Sequence, residues 1–406
     1  MQYLQKICAH AALLSISLLV AGKSQAGDSV LAVVPTDRAL KLSDTLTQGS
    51  LKDRLHSCAT RSFYPTDFSI AHRGAPLGYP EHSREGYIAA AEQGAGVIEC
   101  DVTFTRDLEL VCRHSQCDLA TTTNILQTSL ASKCSAPFRP AIGRRPASAT
   151  CCTSDISLAE FKTLCARPDS SNSQAKNVEE YLAPHRSPVV SEPLACGTLM
   201  THAQSIELIN ALGRRFTPEL KRPMVDMPFA PGFTQAAYAD KLLAEYRAAG
   251  IDPTRVFPQS FNLEDIWHWI ENHPDFADQA VWLDARGRTP GFQPSEADFQ
   301  ALRARGLNII APPMPMLLTL NDAGEIVPSM YASLAKSAGL EMITWTFESG
   351  DPTDANNWLY APISSAMTGE GQMLQALHVL ANDVGVRGVF SDWPGTVTYY
   401  ANCLAQ

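Results

Sequence analysis

Ile70-Ala71-His72-Arg73-Gly74, followed by Ile98-Glu99-Cys100-Asp101-Val102, decides how this chain is read. In the first stretch a short apolar strand runs straight into a charged pair and a glycine. In the second, two acids stand two residues apart within an apolar strand. Successive strand side chains point to opposite faces, so Glu99 and Asp101 share a face, about 6–7 Å apart along the chain. Two such carboxylates repel each other and resist burial, and a divalent cation between them relieves both costs. A solvent-facing edge strand with two ordinary acids is the plain alternative, made less attractive by Val97, Ile98 and Val102. A glycosidase carboxylate pair is a third reading, but such pairs usually come from separate strands.

Outward from these two stretches, short apolar clusters recur. Candidate strands lie near 68–72, 96–102, 215–221, 255–260, 280–284, 308–311, 341–346 and 387–391, with amphipathic segments at 83–94, 202–212, 233–249 and 296–305. Strand and helix in alternation argue for a parallel sheet. Eight such units close a (β/α)8 TIM barrel, whose function sits at the C-terminal ends of the strands. His72 and Arg73 fall at such an end, and Gly74 permits the sharp turn that follows. From about 115 to 200 the pattern breaks. This segment holds six cysteines, a basic Pro-containing stretch and the polar run 169–174. It reads as an inserted, disulfide-stapled Cys-rich lobe after the second barrel strand, in preference to a linker between domains.

The bulk composition supports this. The chain has 406 residues, 45% hydrophobic and 18% charged, enough to bury a sizeable core. Lys6, the apolar run 11–21 and Ser24-Gln25-Ala26 predict a signal peptide over 1–26, leaving 27–406 as the mature barrel. That run is short for a membrane span of about 20 residues. An uncleaved anchor is the weaker alternative, and no second long apolar run follows. A soluble, secreted or periplasmic protein without stable membrane insertion is expected. Of eleven cysteines Cys8 leaves with the leader, and ten remain, an even number that favours disulfides in an exported chain. Zinc is the rival, but no pair of CxxC motifs exists and Cys151-Cys152 suits no common zinc spacing. Two of the 32 basic residues, Lys6 and Lys23, lie in the leader, so 30 face 42 acids and the mature net charge is −12. A general nucleic-acid surface is therefore not expected. A local basic site for one phosphate remains compatible with that charge.

Leu108-Glu109-Leu110-Val111-Cys112-Arg113-His114 is a further extended run, and it ends in a second histidine. Two imidazoles delivered toward one carboxylate cluster can serve as acid and base near neutral pH. Singly, each histidine is more often structural. Glu219 and Lys221 stand two residues apart on another candidate strand and so face one side. Their plain alternative is an exposed salt-bridge pair. Phe261 and Trp345 read evenly as apolar pocket wall or as core.

His72-Arg73-Gly74, Pro80-Glu81-His82-Ser83, Gly94-Ala95, Glu99, Asp101, Thr105, Asp107, Val111 and His114, in order and with fitting spacing, resemble the glycerophosphodiester phosphodiesterase signature. Further matches are Thr122-Thr123-Asn124, Leu158-Ala159-Glu160-Phe161, Glu219-Leu220-Lys221, Gln259-Ser260-Phe261, Thr344-Trp345-Thr346 and Ser391-Asp392-Trp393-Pro394. The resemblance covers roughly 68–400, interrupted by the lobe. It departs where His82-Ser83 replaces Asn-Thr and where Ser115 replaces an acid, which bears on pocket detail.

The resemblance implies metal-dependent cleavage of a small-molecule glycerophosphodiester to glycerol 3-phosphate and an alcohol. It implies His72 and His114 as the acid–base pair and Glu99, Asp101 and Glu219 as metal ligands. Arg73 and Lys221 would bind phosphate, Glu81 would be a supporting polar group near the mouth, and Phe261 and Trp345 would line the substrate pocket. All-oxygen protein ligands suit one divalent ion, Ca²⁺ in preference to Mg²⁺. A sphingomyelinase D-like phospholipase is the sister reading, needing an apolar membrane-docking rim that the loops do not display. A non-catalytic phosphate-ester-binding barrel is the rival from another class, and it would be marked by loss of a catalytic position.

Overall fold

The computed structural model describes residues 36–183, 187 and 189–404; the expected signal peptide lies outside them. Eight parallel strands form the central sheet: β1 Thr66–Ala71, β2 Ala95–Phe104, β3 Arg215–Leu220, β4 Gln259–Ser260, β5 Val281–Trp282, β6 Ile309–Ile310, β7 Glu341–Phe347 and β8 Gly388–Ser391. Each pairs with its neighbours in chain order, and β1 pairs with both β2 and β8, so the sheet closes on itself. A helix follows every strand: α1 Arg84–Glu92, α2 His202–Ala211, α3 Gln235–Ala248, α4 Leu263–Asn272, α5 Glu296–Ala304, α6 Met330–Ser337, α7 Gln372–Val379 and α8 Pro394–Leu404. This is a TIM barrel. All eight expected strands and all four expected helices are present. The middle strands are shorter than their apolar runs, because only two residues of β4, β5 and β6 reach a ladder.

Two apolar layers hold the barrel. Inside it, Ile70, Val97, Val281, Ile309, Ile343 and Phe390 fill the space between the strands. A larger cluster joins the outer strand faces to the helices, with Ile98, Phe216 and Val389 meeting Tyr87, Leu242 and Leu377. Burying such side chains stabilises by about 1.5–3 kcal/mol each. Helix starts follow local chemistry: Ser83, Thr201, Thr234, Asn262, Ser295 and Ser329 each accept a backbone N–H of their first turn. The β1–β2 contact needs Gly96, where a Cβ would lie 2.5 Å from the Thr66 backbone.

A short strand, Leu110–Cys112, folds back antiparallel on the end of β2, with Val102 opposite Cys112 and Phe104 opposite Leu110. Beyond it and before α2, a separate apolar cluster forms around Leu119, Ile125, Phe161 and Tyr181. Cys117–Cys152, Cys134–Cys151 and Cys165–Cys196 cross-link this region, while Cys100–Cys112 and Cys58–Cys403 belong to the barrel. All ten cysteines after Cys8 are thus in disulfides. Among the described residues no helix is long and apolar enough to cross a membrane.

Candidate active site

The register of the barrel brings the acids together. Asp101 on β2 pairs with Glu219 on β3, and Glu219 pairs with Gln259 on β4. Glu99 lies two residues before Asp101 on the same face, as the strand alternation requires. The result is one cluster, with a carboxylate oxygen from each of Glu99, Asp101 and Glu219 lying within 4.8 Å of the others. Gln259 Nε2 donates to Glu99 Oε1 at 2.9 Å, and the Arg73 backbone N–H donates to Glu99 Oε2 at 2.9 Å. Asp101 Oδ1 is buried without a hydrogen-bond partner. A buried carboxylate oxygen left unpaired beside two other acids fits a divalent cation held by oxygen donors.

Charge in the cluster is strained. Burial, and then the charges of Asp101 and Glu219, push the Glu99 carboxyl well above the usual range. Burial raises Glu219 to about 7 against the pull of Lys221, with Asp101 adding to the rise. Burial alone would raise Asp101 too, but Lys221, His82 and Arg73 outweigh it and hold that carboxyl well below its ordinary value. Lys221 Nζ donates to Glu219 Oε1 at 2.7 Å. The three acids therefore resist sharing full negative charge unless a cation joins them.

His72 and Arg73 leave β1 at its C-terminal end. The turn takes Arg73 (φ 56°) and Gly74 (φ 97°) through left-handed backbone, and a Cβ on Gly74 would press 3.0 Å from the Gly86 carbonyl carbon. His72 Nδ1 stands 2.5 Å from Asp392 Oδ1, just past β8. His114, delivered by the Leu110–Cys112 strand, has no hydrogen-bond partner on its ring among the described residues. Burial, and then the cations Arg73 and Lys221, lower its pKa to about 3, so its imidazole is neutral. His72, Arg73, His114, Lys221, Phe261 and Trp345 line one cavity of about 350 Å³ together with the three acids. Glu81 is placed differently. It is buried, is not among the residues lining that cavity, and accepts from Arg73 Nη1 at 3.0 Å and Arg113 Nη2 at 3.2 Å. It braces Arg73.

Four residues add to the sequence reading. Asp392 was visible in the motif after β8, but only the closed barrel sets it against His72. His82, a departure from the signature, is fully buried and bridges Asp101 Oδ2 (2.9 Å) and the Tyr87 hydroxyl (3.0 Å). Trp358 and Arg288 come from short 3-10 helices, Trp358–Ala366 and Arg286–Arg288, whose sequences carry no pattern, and join the cavity wall. Phe261 and Trp358 are 41% and 40% exposed, so the rim is more apolar than the loops suggest in sequence.

A second His/Asp cluster lies on α3 and α4. His268 and His273 both direct Nε2 at Asp240 Oδ1, each at 2.7 Å. Arg247 Nη2 approaches His273 Nδ1 at 2.9 Å, which leaves the His273 proton on Nε2, facing Asp240. This is a hydrogen-bonded network in which Asp240 Oδ1 engages both histidine Nε2 atoms.

Comparison with known proteins gives the family. The Glycerophosphoryl diester phosphodiesterase family pattern matches residues 72–396. The chain belongs to that family. This glycerophosphoryl diester phosphodiesterase family member is accordingly a phosphoric diester hydrolase, and it carries candidate metal ligands where the barrel opens. An Arthroderma benhamiae "Extracellular protein" is 40% identical over 244 residues, 58% of this chain and 99% of that one. A Mycobacterium tuberculosis protein named "Probable glycerophosphodiester phosphodiesterase 1" is 49% identical over 49 residues, 12% of this chain and 18% of that one. In fold, the chain is similar to a Silicibacter pomeroyi DSS-3 crystal structure that carries a provisional glycerophosphoryl diester phosphodiesterase name. That pair shares a TM-score of 0.55 at 18% identity, covering 82% of this chain and 92% of that one.

Proposed function

We propose that this enzyme hydrolyses glycerophosphodiesters to glycerol 3-phosphate and an alcohol, using His72 and His114 as proton carriers beside a Glu99/Asp101/Glu219 metal site. One observation carries the reading: three acids converge within 4.8 Å, and both histidines line the same cavity. The donor set is all oxygen, which favours Ca²⁺, with Mg²⁺ second. When bound, such an ion supplies positive charge to the phosphate and to the charge that develops on it.

The protein's own groups do the remaining work. Arg73 and Lys221 face the cavity as cations and draw the diester anion inward. Neutral His114 accepts a proton from the attacking water or from a neighbouring glycerol hydroxyl. His72, with Nδ1 tied to Asp392, presents Nε2 to the departing oxygen and gives it a proton. Glu81 and Arg113 hold Arg73 in place.

Export is part of the same reading. Five disulfides and the similarity to an extracellular protein support a secreted or periplasmic chain with a leader over 1–26. The disulfide-linked segment 115–200 is then an inserted lobe within the 27–406 barrel.

Turnover of glycerophosphoglycerol with added Ca²⁺, with chelator, and in His114→Ala and Glu99→Gln tests the reading. Activity is expected only in the metal-supplied wild type. Full activity in all the other arms removes the mechanism.

A further inference from the structure

Resting on that reading, one wall of the cavity narrows the substrate class. Trp345 and Trp358 meet edge-to-face, with ring centres 5.9 Å apart, and Phe261 stands against Trp345 at 5.7 Å. Trp345 is pinned by its indole N–H, which donates to the Ala311 carbonyl at 2.8 Å. Such a group of rings is the usual receptor for a quaternary ammonium. Here a cation of the chain itself lies on it. The Arg288 guanidinium sits 4.3 Å from the Trp358 ring centre and 5.6 Å from that of Trp345.

Arg288 is exposed, and among the described residues no carboxylate forms an ion pair with it. Its neighbours Arg286 and Asp284 satisfy each other, with Arg286 Nη2 2.8 Å from Asp284 Oδ2. An unpaired guanidinium stacked on aromatic faces keeps its outer donors directed at whatever enters beside it. It also adds repulsion against an incoming cation.

We propose that Arg288 is a specificity-determining residue that selects diesters whose leaving alcohol carries a negative charge of its own, and that it closes the Trp345–Trp358 faces to choline-like head groups. The reacting phosphate lies with Arg73, Lys221 and the acids; Arg288 addresses the second anion.

Three diesters sharing the glycerol phosphate half test this, using the full chain with Ca²⁺. They are glycerophosphoglycerol ending in a second phosphate, plain glycerophosphoglycerol, and glycerophosphocholine. The wild type is expected to rank them in that order by kcat/KM. Arg288→Ala is expected to lower the doubly phosphorylated substrate by roughly fivefold to tenfold. It should raise glycerophosphocholine severalfold, because the indole faces are cleared. Plain glycerophosphoglycerol, whose leaving alcohol is uncharged, should stay nearly constant, which separates selection from loss of fold. Arg288→Lys keeps the charge but loses the planar stack, and its ratio should fall between the two. A ratio of anionic to choline substrate that Arg288→Ala leaves unchanged overturns the role of Arg288 while hydrolysis stands. A wild type that cleaves none of the three overturns the hydrolysis reading and this one together.

Discussion

His72 at the end of β1 and Asp392 at the end of β8 meet at 2.5 Å, across the seam where the barrel closes. The carboxylate fixes which ring nitrogen faces the cavity, so Asp392→Asn, equal in size but unable to accept in the same way, disturbs the tautomer. A loss of kcat of about 10²- to 10⁴-fold is expected, with KM moving far less. Steady-state kinetics on glycerophosphoglycerol checks it. A variant with wild-type kcat would detach Asp392 from the chemistry.

His114→Ala removes the neutral imidazole that burial, and then Arg73 and Lys221, keep unprotonated. The expected cost is about 10²- to 10⁴-fold in kcat. Because His114 is bonded to no described side chain, the melting temperature should barely move. A large fall in melting temperature with retained kcat would assign it to structure instead.

Metal and pH are linked through the acids. Folded Glu219 titrates at about 7 against an ordinary 4.5, and Glu99 is likewise held well above 4.5. A raised folded pKa stabilises fully below the unfolded value and is lost as pH rises through the folded one. Through Glu219, metal-free protein should therefore lose stability between about pH 4.5 and 7, and the raised Glu99 acts in the same direction. An ion that needs both carboxylates ionised restores it. The gain in melting temperature from saturating Ca²⁺ should be larger at about pH 8 than at about pH 5. Equal gains at both values would argue against these ligands.

His82 tests the shell behind the candidate metal ligands. Replacing it with Ala strips Asp101 of a 2.9 Å bond and leaves the Tyr87 hydroxyl without its imidazole. Ca²⁺ affinity by titration calorimetry should drop about 10- to 100-fold, and stability by about 1–3 kcal/mol. His82→Asn, which restores the residue of the family signature, should recover much of the affinity.

The barrel and the acids were legible because they rest on local rules. Strand alternation alone put Glu99 and Asp101 on one face, and the apolar runs marked all eight strands. What stayed hidden depends on pairing across the closed sheet. Asp392 is about 320 residues from His72 in sequence, and nothing local announces their bond. His82 looked like a loss of the usual Asn, whereas burial shows it bonded to a proposed metal ligand. Glu81 read as a mouth residue since neither arginine that binds it reveals its direction in sequence. Disulfide partners were unreadable for the same reason: Cys151 and Cys152 are adjacent, yet they pair with Cys134 and Cys117.

Cys58 and Cys403 join positions 345 residues apart, just ahead of the first barrel strand and within the last helix. Nearly the whole catalytic chain is thereby a covalent ring. A single protease cut between those cysteines opens the ring without freeing a fragment, and two cuts are needed before a piece can leave. The first nick therefore leaves the chain in one covalent piece.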